Sequence, residues 1–121
     1  VSTLLGRRRY FPELRTSNRA HTGVKRGAER EAINMPIQGT AADILKIAMV
    51  HLHDALQKEN FAARMILQVH DELVLEVPGE ELSPVADLVR SVMEGAWDLD
   101  ASLRVDSKVG KNWEQMEAYQ V

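Results

Sequence analysis

The stretch Gln68-Val69-His70-Asp71-Glu72-Leu73-Val74-Leu75-Glu76-Val77-Pro78 constrains the fold more than any other. Strand-forming residues run up to His70 and resume at Leu73, so a β-hairpin over residues 64–77 is predicted, with its charged residues at the tip. Met65, Leu67 and Val69 alternate along the first strand, and Leu73, Leu75 and Val77 along the second, so each set is expected to share one face. Hairpin turns usually hold Asn-Gly or Asp-Gly. This one has no glycine and carries two adjacent carboxylates. His and Asp tolerate left-handed backbone better than most residues, so the turn is feasible. Asp71 and Glu72 are hard oxygen donors suited to Mg²⁺. Two carboxylates rarely complete such a site, so a phosphate and another acidic residue are expected to finish it. A solvated acidic turn explains the same residues and, on spacing alone, is the favoured reading.

Around the hairpin the pattern is helical. Val24 to Ile33 is rich in helix formers, and a short helix is expected there. Pro36 disfavours helical backbone at Met35 and suits the first position of a new helix. The first helix is therefore expected to stop near Asn34-Met35, and a long helix to run over residues 36–59. Its apolar stripe would be Ala41, Ile44, Leu45, Ala48, Leu52, Ala55 and Leu56, with Asn60 as its end signal. A further helix is expected from Glu80 to Leu99, burying Leu82, Val85, Val89, Val92, Met93 and Ala96. A strand should follow over Ser102 to Lys108, with a turn at Gly110-Lys111-Asn112-Trp113 and a short helix in the tail. At the other end, residues 3–14 read as extended with a bend at Gly6, closed by Pro12, and residues 15–23 as a loop. Met35, Met49, Met65 and Met93 are expected as core filler, and Trp97 and Trp113 as packing anchors. The sum is an α+β fold, an antiparallel β-sheet with helices packed on one face, in one domain over residues 1–121.

Charge is unevenly distributed. Residues 1–30 hold eight Lys or Arg against Glu13 and Glu29, a net +6, while the remaining residues carry −9, within a total of −3. A basic block on an acidic body points to a polyanion partner, and a solvated basic arm is the plain alternative. Arg supplies paired donors that match phosphate oxygens. Alternation along a strand would send Arg7 and Arg9 one way and Arg8 the other, so that one side contacts nucleic acid while the other pairs with carboxylates. Arg30, Asn34 and Gln38 stand four residues apart, straddling Pro36. On a nearly continuous helix they would line one face, and their side chains suit base edges. Ordinary helix-surface polarity, with Asn34 as a local cap, is the reading that holds in most sequences. His51 and His53, two apart on a helix, face different directions and are not expected to share a metal. There are no cysteines, which excludes disulfides and thiolate metal sites and favours a reducing compartment, taken as the cytoplasm. No apolar run approaches a membrane span, so no membrane partner is expected.

Three runs in this order resemble family A DNA polymerases, the group of the bacterial DNA polymerase I enzymes. They are Gly6-Arg7-Arg8-Arg9-Tyr10-Phe11-Pro12, the stretch Glu29-Arg30-Glu31-Ala32-Ile33-Asn34-Met35-Pro36-Ile37-Gln38-Gly39-Thr40-Ala41-Ala42-Asp43, and Gln68-Val69-His70-Asp71-Glu72-Leu73-Val74. The resemblance covers essentially the whole chain and implies the C-terminal part of the polymerase palm. Residues 1–30 would form a basic DNA-contacting segment and residues 64–77 a catalytic hairpin. Asp71 matches the second metal-binding aspartate, Glu72 its supporting neighbour, and His70 a histidine near the primer terminus. Gln38, Asn34 and Arg30 match residues that contact the primer–template duplex near its end, partly in the minor groove. Arg7, Arg8 and Arg9 match a segment near the template backbone.

The implied reaction is two-metal phosphoryl transfer with Mg²⁺ as cofactor, in DNA replication and repair. The implied partners are primer–template DNA, deoxynucleoside triphosphates and the rest of a polymerase chain. The family's upstream Asp-Tyr-Ser type motif, fingers helix and thumb are not found in these residues. The chain is therefore expected to be a piece of a longer polypeptide, inactive alone. A non-catalytic duplex-binding module with a palm-like fold is one alternative reading, and a relative using an RNA template or serving a phage or plasmid replicon is another.

Overall fold

A computed structural model describes residues 1–15, 22–98 and 103–119. The expected loop over 15–23 falls largely outside them, as do Leu99 and Ser102; the helix expected to reach Leu99 ends at Glu94, and the strand expected from Ser102 begins at Ser107. The fold is α+β. A short 3-10 turn, Pro12–Arg15, precedes helix α1, Thr22–Lys58. Strands β1 (Arg64–Val69) and β2 (Glu72–Glu76) follow, then a 3-10 turn at Gly79–Glu81 and helix α2 (Leu82–Glu94). Strands β3 (Ser107–Gly110) and β4 (Met116–Tyr119) close the order. The described strands form two antiparallel pairs, β1–β2 and β3–β4. The tail expected as helix is thus strand β4, which gains a partner in β3 with Ser107 opposite Tyr119. By contacts the chain divides into two compact units, Val1–Asp43 and Ile44–Val121, with the boundary inside α1.

In the first unit the N-terminal residues fold back as a hook. Ser2 bridges Arg8, Arg9 N–H donates to Val1 O at 3.0 Å, and Thr3 N–H donates to Arg7 O at 2.9 Å. The expected bend at Gly6 is present, with φ +92°, a left-handed conformation open to glycine without a Cβ clash. The hook crosses α1 at Gly39, where an added Cβ would lie 2.7 Å from Thr3 Cγ2.

The expected break at Pro36 does not occur: α1 is one helix of 37 residues that contains Pro36. Proline removes one helix hydrogen bond and crowds the preceding turn, which disfavours helix by about 3 kcal/mol. Tertiary contacts on both sides of Pro36 offset this. Before it, Ala28 and Met35 are buried and Glu31 pairs with Arg9; after it, Thr40 and Asp43 are buried and bonded to the hook.

In the second unit, Leu52, Leu56, Ala63 and Val85 form the buried centre, with Phe61, Met65, Leu73, Leu75, Val77, Leu88, Val89 and Val92 packed on it. Four-residue spacing brings Ile44, Ala48, Leu52 and Leu56 to one buried stripe, close to the expected one, although Ala41 is exposed. Asn60 ends α1 as expected, with φ +57° and Phe61 N–H donating to Leu56 O at 3.0 Å. The Glu81 carboxylate then accepts from Ala62 N–H and Ala63 N–H at 2.9–3.1 Å, joining this corner to the start of α2.

Two packing expectations are corrected. Trp97 and Trp113 are not anchors: they are 38% and 52% exposed. Ala96 takes the buried place after α2, and Trp113 lies in the connection between β3 and β4. The second correction concerns β1. The ladder pairs Met65 with Leu75 and Leu67 with Val74, so a bulge at Ile66 breaks the alternation. Met65 therefore faces the core with Leu73 and Leu75. Leu67 and Val69 turn to the opposite face with Val74, and Leu67 is 46% exposed.

Candidate functional site

The hairpin brings His70, Asp71 and Glu72 together at one exposed tip. Val69 and Glu72 form the last ladder pair, so the turn is only two residues long, His70 and Asp71. His70 has φ +54°, and Asp71 is not left-handed. A positive φ on the first turn residue alone is the sign pattern of a type II′ turn, which normally places glycine there. The Gln68 side-chain amide donates to His70 O at 2.5 Å and braces the strained residue. Among the described residues, Asp71 and Glu72 make no ion pair. Both carboxylates are thus held by the backbone and bare to solvent.

These oxygens are the right donor type for Mg²⁺, but they are only part of a ligand set. Among the described residues, no group of three or more metal-ligating side chains is gathered. His51 and His53 are both exposed and add nothing to such a group.

In the first unit, the continuity of α1 decides how Arg30, Asn34 and Gln38 are arranged. All three are exposed. On one helix, four-residue steps drift by only about 40° each, so the three side chains share one face. The arginine segment follows the expected alternation. Arg7 Nε donates to Asp43 Oδ1 at 2.5 Å, and Arg9 Nη2 donates to Glu31 Oε2 at 2.9 Å while its guanidinium lies 4.8 Å from the centre of the Phe11 ring. Arg8 between them is exposed, with no side-chain partner among the described residues. Arg7 and Arg9 remain about half exposed, at 53% and 55%. A shallow recess of about 190 Å³ lies beside Arg9, Tyr10 and Phe11, lined also by Ala28 and Glu31.

Sequence reasoning singled out no role for Thr3, Gly39, Thr40 or Asp43. Asp43 is 5% exposed and accepts from the Thr3 hydroxyl at 2.8 Å as well as from Arg7. Thr40 Oγ1 accepts from Leu4 N–H at 3.1 Å. The residues lie about 40 positions apart, so no local pattern could have paired them. The available signal was a carboxylate, Asp43, directly before the apolar stripe that begins at Ile44.

The model of DNA polymerase family A matches residues 1–115. The chain belongs to DNA polymerase family A. It is 51% identical over 118 residues to DNA polymerase I of Chloroflexus aurantiacus, covering 96% of this chain and 12% of that protein. It is 52% identical over 113 residues to the thermostable DNA polymerase I of Thermus thermophilus, covering 93% and 13%. Among solved structures, it resembles the POL domain of Pol1 from M. smegmatis, in complex with DNA primer-template and dNTP. There the TM-score is 0.79 at 50% identity, over 85% of this chain and 18% of that one. This family A chain thus spans about an eighth of the length of the DNA polymerase I relatives. No described helix of the family A chain is long and apolar enough to cross a membrane.

Proposed function

We infer that this chain forms the C-terminal part of the palm of a DNA-directed DNA polymerase, acting on primer–template DNA and deoxynucleoside triphosphates. The observation that carries the reading is the exposed, unpaired Asp71–Glu72 tip, in a chain about half identical to DNA polymerase I over nearly its whole length. The M. smegmatis relative, solved with DNA primer-template and dNTP, supports the choice of partners.

Asp71 and Glu72 would hold Mg²⁺ as one part of its ligand set. When bound, the metal would activate the primer 3′-hydroxyl and stabilise charge on the leaving pyrophosphate. The hairpin's own contribution is position. A two-residue turn leaves Asp71 little backbone freedom, and Gln68 locks the carbonyl before it. Because neither carboxylate has a cationic partner among the described residues, binding a metal there breaks no described ion pair. His70, at the same tip, would stand near the primer terminus. Arg30, Asn34 and Gln38 would meet the duplex near its end, where Arg, Asn and Gln can donate to the minor-groove acceptors common to all base pairs. Arg7, Arg8 and Arg9 would lie along the template backbone, with Arg8 offering an uncommitted guanidinium to a phosphate.

The test is Asp71→Ala in the full chain. Several kcal/mol of transition-state stabilisation from the metal, at about 1.4 kcal/mol per decade, correspond to roughly a thousandfold loss of primer extension. Primer–template affinity should change little. An equal loss of affinity and turnover would assign Asp71 to DNA positioning and defeat the reading. Residues 1–121 alone are expected to give no Mg²⁺-dependent extension, because they match one of the family's two metal aspartates.

A further inference from the structure

The hook does more than cover one side of α1. It grips the helix on both sides of Pro36. Arg9 holds Glu31, five residues before the proline, at 2.9 Å. Leu4 N–H holds Thr40, and Thr3 and Arg7 together hold Asp43, four and seven residues after it. Thr3 Oγ1 also accepts from Arg7 N–H at 3.1 Å, so Thr3 and Arg7, which both hold Asp43, belong to one hydrogen-bonded loop. Gly39 permits the close crossing, since any Cβ there would meet Thr3 Cγ2.

Proline is a frequent site of sharp helix kinks. A kink at Pro36 would fall between Asn34 and Gln38 and move Gln38 off the line of Arg30 and Asn34. We propose that the hook is a splint across Pro36 and that Asp43, its buried anchor, is a positioning residue for duplex binding by the Arg30–Asn34–Gln38 face. Asp43 itself touches no DNA. This rests on the reading of that face as a duplex-binding surface.

The experiment measures primer–template affinity by fluorescence anisotropy in the full chain, for Asp43→Asn, Pro36→Ala, their double variant and Gln38→Ala. Removing a carboxylate beside a polyanion would by charge alone tighten binding. The splint predicts the opposite sign for Asp43→Asn, a loss of about fivefold, within the range of coupled neighbouring sites. In the Pro36→Ala background, where the helix needs no splint, Asp43→Asn should cost less than about twofold. A deficit of the same size in both backgrounds overturns the proposal, as does tighter binding by Asp43→Asn.

A chargeless variant guards against a folding artefact. Gly39→Ala pushes Thr3 outward and should weaken binding similarly. Adding Thr3→Ser removes Cγ2 but keeps the hydroxyl on Asp43, and should recover most of the loss; no recovery counts against the splint. If Gln38→Ala leaves affinity unchanged, the duplex-binding reading of the face fails and takes the proposal with it. If Gln38→Ala weakens binding while Asp43→Asn does not, the splint alone fails.

Discussion

The hook of the first unit and the hairpin tip of the second treat charge in opposite ways. In the hook of the Val1–Asp43 unit, two arginines are matched: Arg7 with Asp43, and Arg9 with Glu31 and the Phe11 ring. These pairs are structural, since they hold the hook to a continuous helix that contains a proline. In the Ile44–Val121 unit, the hairpin tip leaves Asp71 and Glu72 without an ion pair among the described residues, with backbone strain at His70. The difference teaches where to look for ligands. A charge already answered within the chain holds the fold together, and one left bare on a rigid turn is available to an outside partner. Arg8, exposed between two paired neighbours, is the first unit's counterpart of Asp71.

This contrast can be broken most directly by crossing the two bare charges. Asp71→Ala should lower primer extension by about a thousandfold with affinity nearly unchanged. Arg8→Ala should instead weaken primer–template binding across all sequences and reduce the salt-dependence slope of log affinity by about one. Similar effects of the two variants on turnover and on the salt slope would erase the distinction.

Stability effects come next. Leu52 is fully buried at the centre of the second unit, and Leu52→Ala should destabilise it by about 3 kcal/mol in urea denaturation. The turn strain can be read from His70→Gly, which removes the left-handed penalty and should stabilise the hairpin by about 1 kcal/mol, followed by hydrogen exchange at β1 and β2. Destabilisation would show that the His70 side chain supports the tip. The smallest effect is expected at Arg104, whose pairing with Asp106 at 3.5 Å joins two side chains that are both 85% exposed. Arg104→Ala should shift stability by less than about 0.5 kcal/mol, in contrast with any variant that frees Asp43.

How far the sequence could be read followed the range of the interactions. The hairpin was legible because strand alternation and the interruption at His70-Asp71 are local. So was the end of the long helix at Asn60, where a single left-handed residue serves. The tail after Trp113 was not, because a four-residue strand such as Met116–Tyr119 is stable only against its partner β3. For the candidate hairpin, the placement of its carboxylates at the tip was legible and the facing of its strand residues was not. The bulge at Ile66 reassigned Leu67 and Val69 to the face opposite Met65, although strict alternation had grouped the three.

The sequence by itself determined the family, the hairpin with its carboxylates at the tip, and the apolar stripe from Ile44 to Leu56, since each is written in contiguous residues or fixed periods. Only the tertiary structure decided that α1 passes through Pro36, that Arg30, Asn34 and Gln38 therefore share a face, and that Asp43 is the anchor of the hook. The reason is that proline's local preference is outweighed by hydrogen bonds and packing between Val1–Phe11 and Ala28–Asp43. Those contacts join residues up to 40 positions apart, and their energy exists only once the chain has folded.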